Sequence, residues 1–212
     1  MEKTLRILLA LAISITLTVA AGCGTTPTAH SGFLGNYSQL QPDPEDKDRL
    51  IYRASGSKVK QYNKFIVDRV VVHFAPNAKG TTINTANVNT LSNHLHNEVV
   101  KALSASGRYR VVNSPGREVL RVRIAITDIE KSNVGMNALP QTKLMGVGLG
   151  GASFEGEIVD SVSGDRIAAT VDSQKGSRAS MAGLTTFGDA EAVMTKWAER
   201  LVKKLDDAHG YK

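Results

Sequence analysis

Apolar positions along this chain fall into two rhythms. Between Val119 and Ile129 they alternate: Leu120, Val122, Ile124 and Ile126 point one way, and Arg121, Arg123, Ala125 and Thr127 point the other. A period of two predicts a half-buried strand with a wetter second face. Phe65–Phe74 (FIVDRVVVHF) is β-branched and apolar and predicts a central strand. Tyr109–Val112 predicts a short strand. Ala152–Asp160 and Arg166–Asp172 predict two more, joined as a hairpin by the turn chemistry of Ser161-Val162-Ser163-Gly164.

The second rhythm is helical. In Ala86–Ser104 the apolar residues Val88, Leu91, Leu95, Val99, Ala102 and Leu103 recur at spacings of three and four. Asn84 or Thr85 can cap this helix, and Gly107 lies just past its end. In Asp189–Leu205, Val193, Trp197, Leu201 and Leu205 recur every four residues. Asp189 is the expected N-cap, and Lys203 and Lys204 suit the C-terminal dipole. The order strand, helix, three or four strands, helix predicts the α/β class as an α+β sandwich. It has one mixed sheet of about five strands, with two main helices packed on one face.

The first residues follow neither rhythm. Lys3 and Arg6 precede an uncharged run, Ile7–Ala21, that ends on small residues. This describes a secretory signal peptide. A run of 15 residues is short for a bilayer crossing, which takes about 20. The run leads into Ala20-Ala21-Gly22-Cys23, which looks like the bacterial lipobox, with Ala20 where Leu is usual. Cys23 is the only cysteine in the chain, which excludes an intramolecular disulfide framework and a multi-Cys zinc site. Read as the lipidated residue, it becomes the mature N-terminus and carries palmitate or a similar acyl group. Residue 24 is Gly rather than Asp. In enterobacterial-type sorting this points to the outer membrane rather than to retention at the inner one.

The expected organisation is a signal peptide over 1–22, a lipidated tether over 23–48 and a single α/β domain over 49–212. Within the tether, Gly24–Ser31 is small and polar. Gly32–Leu40 adds Phe33, Leu34, Tyr37 and Leu40, and so predicts a docking segment over 32–40. Gln41–Arg49 (QPDPEDKDR) predicts a charged surface loop.

Composition adds little beyond class. Of 212 residues, 42% are hydrophobic, too many for a disordered chain. The formal charge is +6, concentrated in the middle: residues 101–143 carry eight basic groups and three acids. Arg108, Arg110, Arg121 and Arg123 are the candidate partner surface. Outside the cytoplasm such a patch suits anionic lipid, peptidoglycan carboxylates or an acidic envelope protein, and not nucleic acid.

No motif commits the chain to a reaction. Gly146–Gly151 spells GxGxxG, but a strand pattern follows it where a nucleotide site needs a helix. Ser55-Gly56-Ser57-Lys58 matches SxxK, without the SDN and KTG elements of penicillin-binding enzymes and in a Gly/Ser loop rather than at a helix start. His94 and His96 point to different helix faces and read as solvated residues, not ligands. Glu155 and Glu157 share a strand face where two acids could share a proton. The simpler reading is an outward face with both charges in water. The expectation is therefore no enzyme, no cofactor and no metal; the least favoured alternative is a hydrolase of envelope polymers, which would need a cleft gathering Ser55 and Lys58 or Glu155 and Glu157.

Several segments together resemble a known group. Ser31-Gly32-Phe33-Leu34-Gly35-Asn36-Tyr37-Ser38-Gln39-Leu40 is similar to the opening signature of a bacterial lipoprotein family known as domain of unknown function 3313. Gly107–Val112, Leu120–Arg123 and Thr127-Asp128 resemble its middle, and Glu155, Asp160, Gly164, Gly176 and Trp197 fall on its E…D…G…G…W pattern. The resemblance covers most of residues 31–205. It implies a Gram-negative cell-envelope lipoprotein without an assigned activity. Together with Gly24, the lipobox and the lack of a catalytic motif, the expected role is non-catalytic binding or scaffolding at the periplasmic face of the outer membrane. The helix–strand order also resembles, at the level of fold, lipoproteins of curli secretion and of cell-wall synthase activation. It is similar too to the amino-terminal domain of the Tol–Pal translocation protein. Those likenesses give the alternative of a subunit or activator in an envelope assembly.

Overall fold

The alternating segment becomes the organising strand of an eight-stranded mixed sheet in the computed structural model, which describes residues 30–211. The expected signal peptide, Cys23 and most of the polar stretch 24–31 fall outside the described residues. The strands are β1 (Gln41–Asp43), β2 (Asp46–Arg53), β3 (Lys64–Val67), β4 (Val71–Val72), β5 (Arg110–Val111), β6 (Val119–Glu130), β7 (Gly151–Asp160) and β8 (Arg166–Lys175). Their order across the sheet is β1-β2-β8-β7-β6-β3-β5, with β4 also on β6. Strands β1, β2, β8, β7 and β6 pair antiparallel in turn, while β3, β4 and β5 run parallel to their neighbours. The parallel pairs need crossovers, and α2 (Thr85–Ala105) supplies the long one.

Helix α2 and helix α5 (Gly188–His209) pack on each other and on one face of the sheet. Leu91, Leu95, Val99 and Leu103 of α2 meet Val193, Met194, Trp197 and Leu205 of α5 over Leu120, Val122, Ile124 and Ile126. Asn84 caps α2 by accepting from the Asn87 N–H at 2.9 Å. A register shift at Thr127 brings Ile129 into the same core as Ile126. Three short helices complete the chain: α1 (Gly56–Val59), α3 (Val134–Ala138) and α4 (Pro140–Leu144).

Four expectations need correction. The sheet has eight strands, not about five. Gln41–Arg49 is no loop, because β1 and the start of β2 extend the sheet through it. Its charges misled: Asp43 and Arg49 are buried against each other, with Arg49 Nε donating to Asp43 Oδ2 at 2.8 Å. Phe65–Phe74 divides into β3 and β4 around Asp68-Arg69-Val70, where Asp68 turns out toward Arg121 at 3.8 Å. Asp189 is not the cap of α5. It lies one residue inside the helix, fully buried. Among the described residues, no helix is long and apolar enough to cross a membrane.

Candidate functional site

The sheet is wider than its helical cover. Seven strands in sequence across it span roughly 29 Å at about 4.8 Å each. Two helices about 10 Å apart cover roughly 20 Å. The helices sit over β6, and the shortfall appears at β8 and β2. There a cavity of about 310 Å³ opens between α5 and the sheet.

Small residues make its floor: Gly156 of β7, and Ala168 and Thr170 of β8. Gly156 pairs with Thr170 across the strands and Ile158 with Ala168, so one patch of sheet carries little side-chain volume. Ile51, Phe154, Trp197 and Leu201 form the walls. The Phe154 and Trp197 rings lie 4.2 Å apart and are tilted by 46°. The rim is polar and comes from three elements: Asp43 of β1, Arg49 and Arg53 of β2, and Arg200 and Lys204 of α5.

Buried ion pairs fix that rim. Asp172 is 1% exposed and accepts from Trp197 Nε1 at 3.0 Å, Arg200 at 2.6 Å and Gln174 at 2.9 Å. Arg49 lies 3.7 Å from the same carboxylate. Burial would raise the Asp43 carboxyl, but the Glu45 N–H and the Arg49 guanidinium outweigh it and hold the group low. Arg53 is the most open cation on the rim and lies 3.7 Å from Asp43. Lys204 pairs with the exposed Glu45 at 2.6 Å, a contact of small net worth in water. The site is an apolar slot with cations at its edge, of which Arg53 is the most exposed. Sequence reasoning missed it, because nothing in a strand pattern announces that two adjacent strands place their small residues side by side.

The opposite face of the sheet is covered differently. Residues 31–40 run across it, with Leu34 and Leu40 buried against Ala169 and Val171. Glu155 is fully buried beneath them, and Glu157 is 6% exposed. Glu155 accepts from the Ser31 N–H at 2.6 Å, the Leu34 N–H at 3.3 Å and the Tyr37 hydroxyl at 2.7 Å. Glu157 accepts from Arg123 at 2.6 Å and Arg166 at 2.9 Å, and Arg166 also donates to the carbonyls of Leu34 and Asn36. These acids are structural partners, not charges in water as expected. Burial, then the hydrogen bond to Glu155, pushes the Tyr37 phenol up.

The candidate arginines are divided between the two faces. Arg110, Arg121 and Arg123 fall on the helix-free side, by their register with Lys64, Ile66 and Glu157. Arg108 lies on the helix side, paired with Asp206 at 3.1 Å and over the Tyr211 ring. Arg123 is held by Glu157 and covers Phe33.

The weighed motifs also find their places. Ser55-Gly56-Ser57-Lys58 begins helix α1, not a loop, and α1 packs on α5. It therefore lies across the sheet from Glu155 and Glu157. Gly146 and Gly148 take left-handed φ values of 75° and 84° in the turn from α4 to β7, and no helix N-terminus follows. His94 and His96 are contacts rather than solvated residues. His94 Nε2 meets the Glu191 carbonyl at 3.2 Å, and His96 Nδ1 meets the Asp68 carbonyl at 3.1 Å. Among the described residues, no group of three metal-ligating side chains comes together.

No curated protein matches the chain. Among solved structures it is similar to a PelC dodecamer from Paraburkholderia phytofirmans in two crystal forms. One, an amino-acid variant, is 14% identical with a TM-score of 0.43, covering 74% of this chain and 96% of that one. The other is 13% identical with a TM-score of 0.42, covering 77% and 99%. Protein XCC0632 from Xanthomonas campestris, of the DUF330 family, is 12% identical with a TM-score of 0.40, covering 69% and 85%. The family model that matches is a protein of unknown function, DUF3313, and it spans residues 29–201, from the segment under Arg166 to the wall of the cavity; the chain belongs to that family.

Proposed function

We propose that the protein is a non-catalytic binding protein of the Gram-negative envelope. Lipidated Cys23 tethers it to the outer membrane on the periplasmic side, and the cavity under α5 holds the acyl chain of an amphipathic anion. The cavity carries this reading. Its volume of about 310 Å³ lies at the lower end of ligand pockets, which are mostly apolar with a few placed polar groups. Each methylene removed from water there contributes about 0.8 kcal/mol. Arg53 and Lys204 at the rim are placed to meet a carboxylate or phosphate head. A role without chemistry is supported by the acids. Glu155, Glu157, Asp43 and Asp172 are all engaged by donors that hold the fold together.

Titration with a naturally fluorescent fatty acid, cis-parinaric acid, tests it. Emission should rise saturably with the wild type. Ala168→Phe fills the floor and should abolish the rise without lowering the melting temperature. Arg53→Ser should weaken the acid several-fold and leave the alcohol of equal chain length unaffected. Undiminished binding in a folded Ala168→Phe protein would dismiss the reading.

A further inference from the structure

The end of the sheet where β6 finishes and β7 begins carries a surface of another kind. Helices α3 and α4 and the segment 176–187 meet there. Leu144, Met145 and Met181 are 76%, 72% and 70% exposed, and Leu139 and Val147 are exposed beside them. Soluble surfaces carry single apolar residues routinely, but a cluster of long ones marks a contact.

This cluster stands on a braced support. Fully buried Asp189 accepts from Ser132 Oγ and the Gly150 N–H, both at 2.9 Å. Buried Asn137 donates to the carbonyls of Gly148 at 2.8 Å and Gly183 at 3.1 Å. A Cβ on Gly176 would fall 2.1 Å from Asp189 Oδ1. The two segments are thereby fixed to the start of α5, and Lys143 joins them again through the Ser180 carbonyl. Polar groups face inward and Leu, Met and Val face outward, the reverse of an ordinary surface loop.

Charge selects the partner. Residues 131–154 contain Lys131 and Lys143 and no acid; residues 173–188 contain Lys175 and Arg178 and no acid. Lys175 is neutralised by Glu130 at 2.9 Å. That leaves Lys131, Lys143 and Arg178 around the exposed apolar residues. Long apolar side chains ringed by cations, with the neighbouring Glu130 already paired by Lys79 and Lys175, match an interface with anionic lipid.

We infer that this end of the molecule rests on an anionic lipid surface. Leu144, Met145 and Met181 enter the headgroup layer, and Lys131, Lys143 and Arg178 meet lipid phosphates. The chain path permits it. Ser31 is pinned to Glu155, which is about 13 Å along β7 from Gly151. The residues from Cys23 to His30 can span up to about 25 Å. The anchoring proposed above brings the surface within reach, but the contact itself needs only the lipid.

The test uses the full chain, as purified with its lipid, in vesicles of phosphatidylethanolamine and phosphatidylglycerol that contain nitroxide-labelled lipid. A fluorophore is placed on Met145→Cys and, as control, on Val162→Cys. Val162 lies at the β7–β8 turn, about 33 Å away at the far end of β7. Emission should be quenched at Met145→Cys and not at Val162→Cys. Lys131→Glu and Arg178→Glu should each reduce the docked population roughly fivefold, and high salt should do the same.

Equal quenching at both positions would overturn the inference. So would a Met145→Cys label already shielded in detergent with a doubled mass, since the surface would then join two copies of the chain. Counting free thiols in the wild type separates this result from the anchoring reading. One free thiol means Cys23 bears no lipid, and Met145→Cys labelled in the Cys23→Ala protein then reports adsorption to vesicles added from outside.

Discussion

Glu155 takes three hydrogen bonds from one short segment, and no other carboxylate among the described residues does so for the tether side of the fold. Leu34 and Leu40 seal that segment from water, so the bonds form where competing solvent is excluded. Replacing Glu155 by Ala strands two backbone donors and a phenol. Each buried donor left unpaired costs about 1–3 kcal/mol, some of it recovered as the segment lifts into water. Glu155→Ala should therefore lower unfolding free energy by about 2 kcal/mol in urea titration. Hydrogen exchange should accelerate at Leu34 and Leu40 while Leu95 stays protected. Equal protection at Leu34 would contradict the assigned role. Phe33, Leu34, Tyr37 and Leu40 already mark the segment as apolar in the sequence. Its partner was hidden, because an acid in an alternating strand reads as solvated unless one knows which chain lies above it.

Hairpins and helices, at the scale of elements, were legible in proportion to their internal periodicity. α2 and α5 each bury one face of a regular repeat, and β6, β7 and β8 set apolar residues against the helices at every second position or in near-continuous runs, so their apolar spacing survives in the sequence. β1, α3 and α4 have three to five residues each and no repeat to read. β2 was lost for another reason: its buried residue Arg49 is charged and satisfied by Asp43 and Asp172. The β7–β8 hairpin shows what its turn residues do. Asp160 accepts from the N–H groups of Ser163 at 2.7 Å and Val162 at 2.8 Å and from the Tyr62 hydroxyl at 2.8 Å, while Gly164 takes φ 77°. The Ser163 N–H, ahead of the others, holds the Asp160 carboxyl below its ordinary value, against a smaller opposing effect of burial. A group lowered in the folded state stabilises fully above its unfolded pKa, near 4, and loses that contribution as pH falls through its folded value. Asp160→Asn should be less stable than wild type at neutral pH. Its melting temperature should also fall less steeply than the wild type's below about pH 4. Parallel curves for the two proteins in circular dichroism would exclude this contribution.

The whole molecule brings together a sheet too wide for two helices and a segment that crosses its bare face. Neither the cavity nor the exposed apolar end could be read in advance, because each depends on how strands and loops distant in sequence are placed side by side. The anchor proposed above is the opposite case. It rests on no fold, only on Cys23 after a short apolar run, a pattern carried by the sequence alone. One acyl chain binds a bilayer marginally and two or more bind firmly. A chain held at Cys23 by several should therefore stay in the membrane fraction through a high-salt wash, which weakens the electrostatic contact of Lys131, Lys143 and Arg178. Cells grown with labelled palmitate should mark the wild type and leave Cys23→Ala unmarked. Cys23→Ala should also leave the membrane at high salt while the wild type remains. The two folded domains should melt at the same temperature, since His30–Tyr211 makes every contact described above without residue 23. Label retained on Cys23→Ala would place the lipid elsewhere. An unlabelled Cys23→Ala protein that resists the wash would make the apolar end, rather than an acyl chain, the principal attachment of this protein to its membrane.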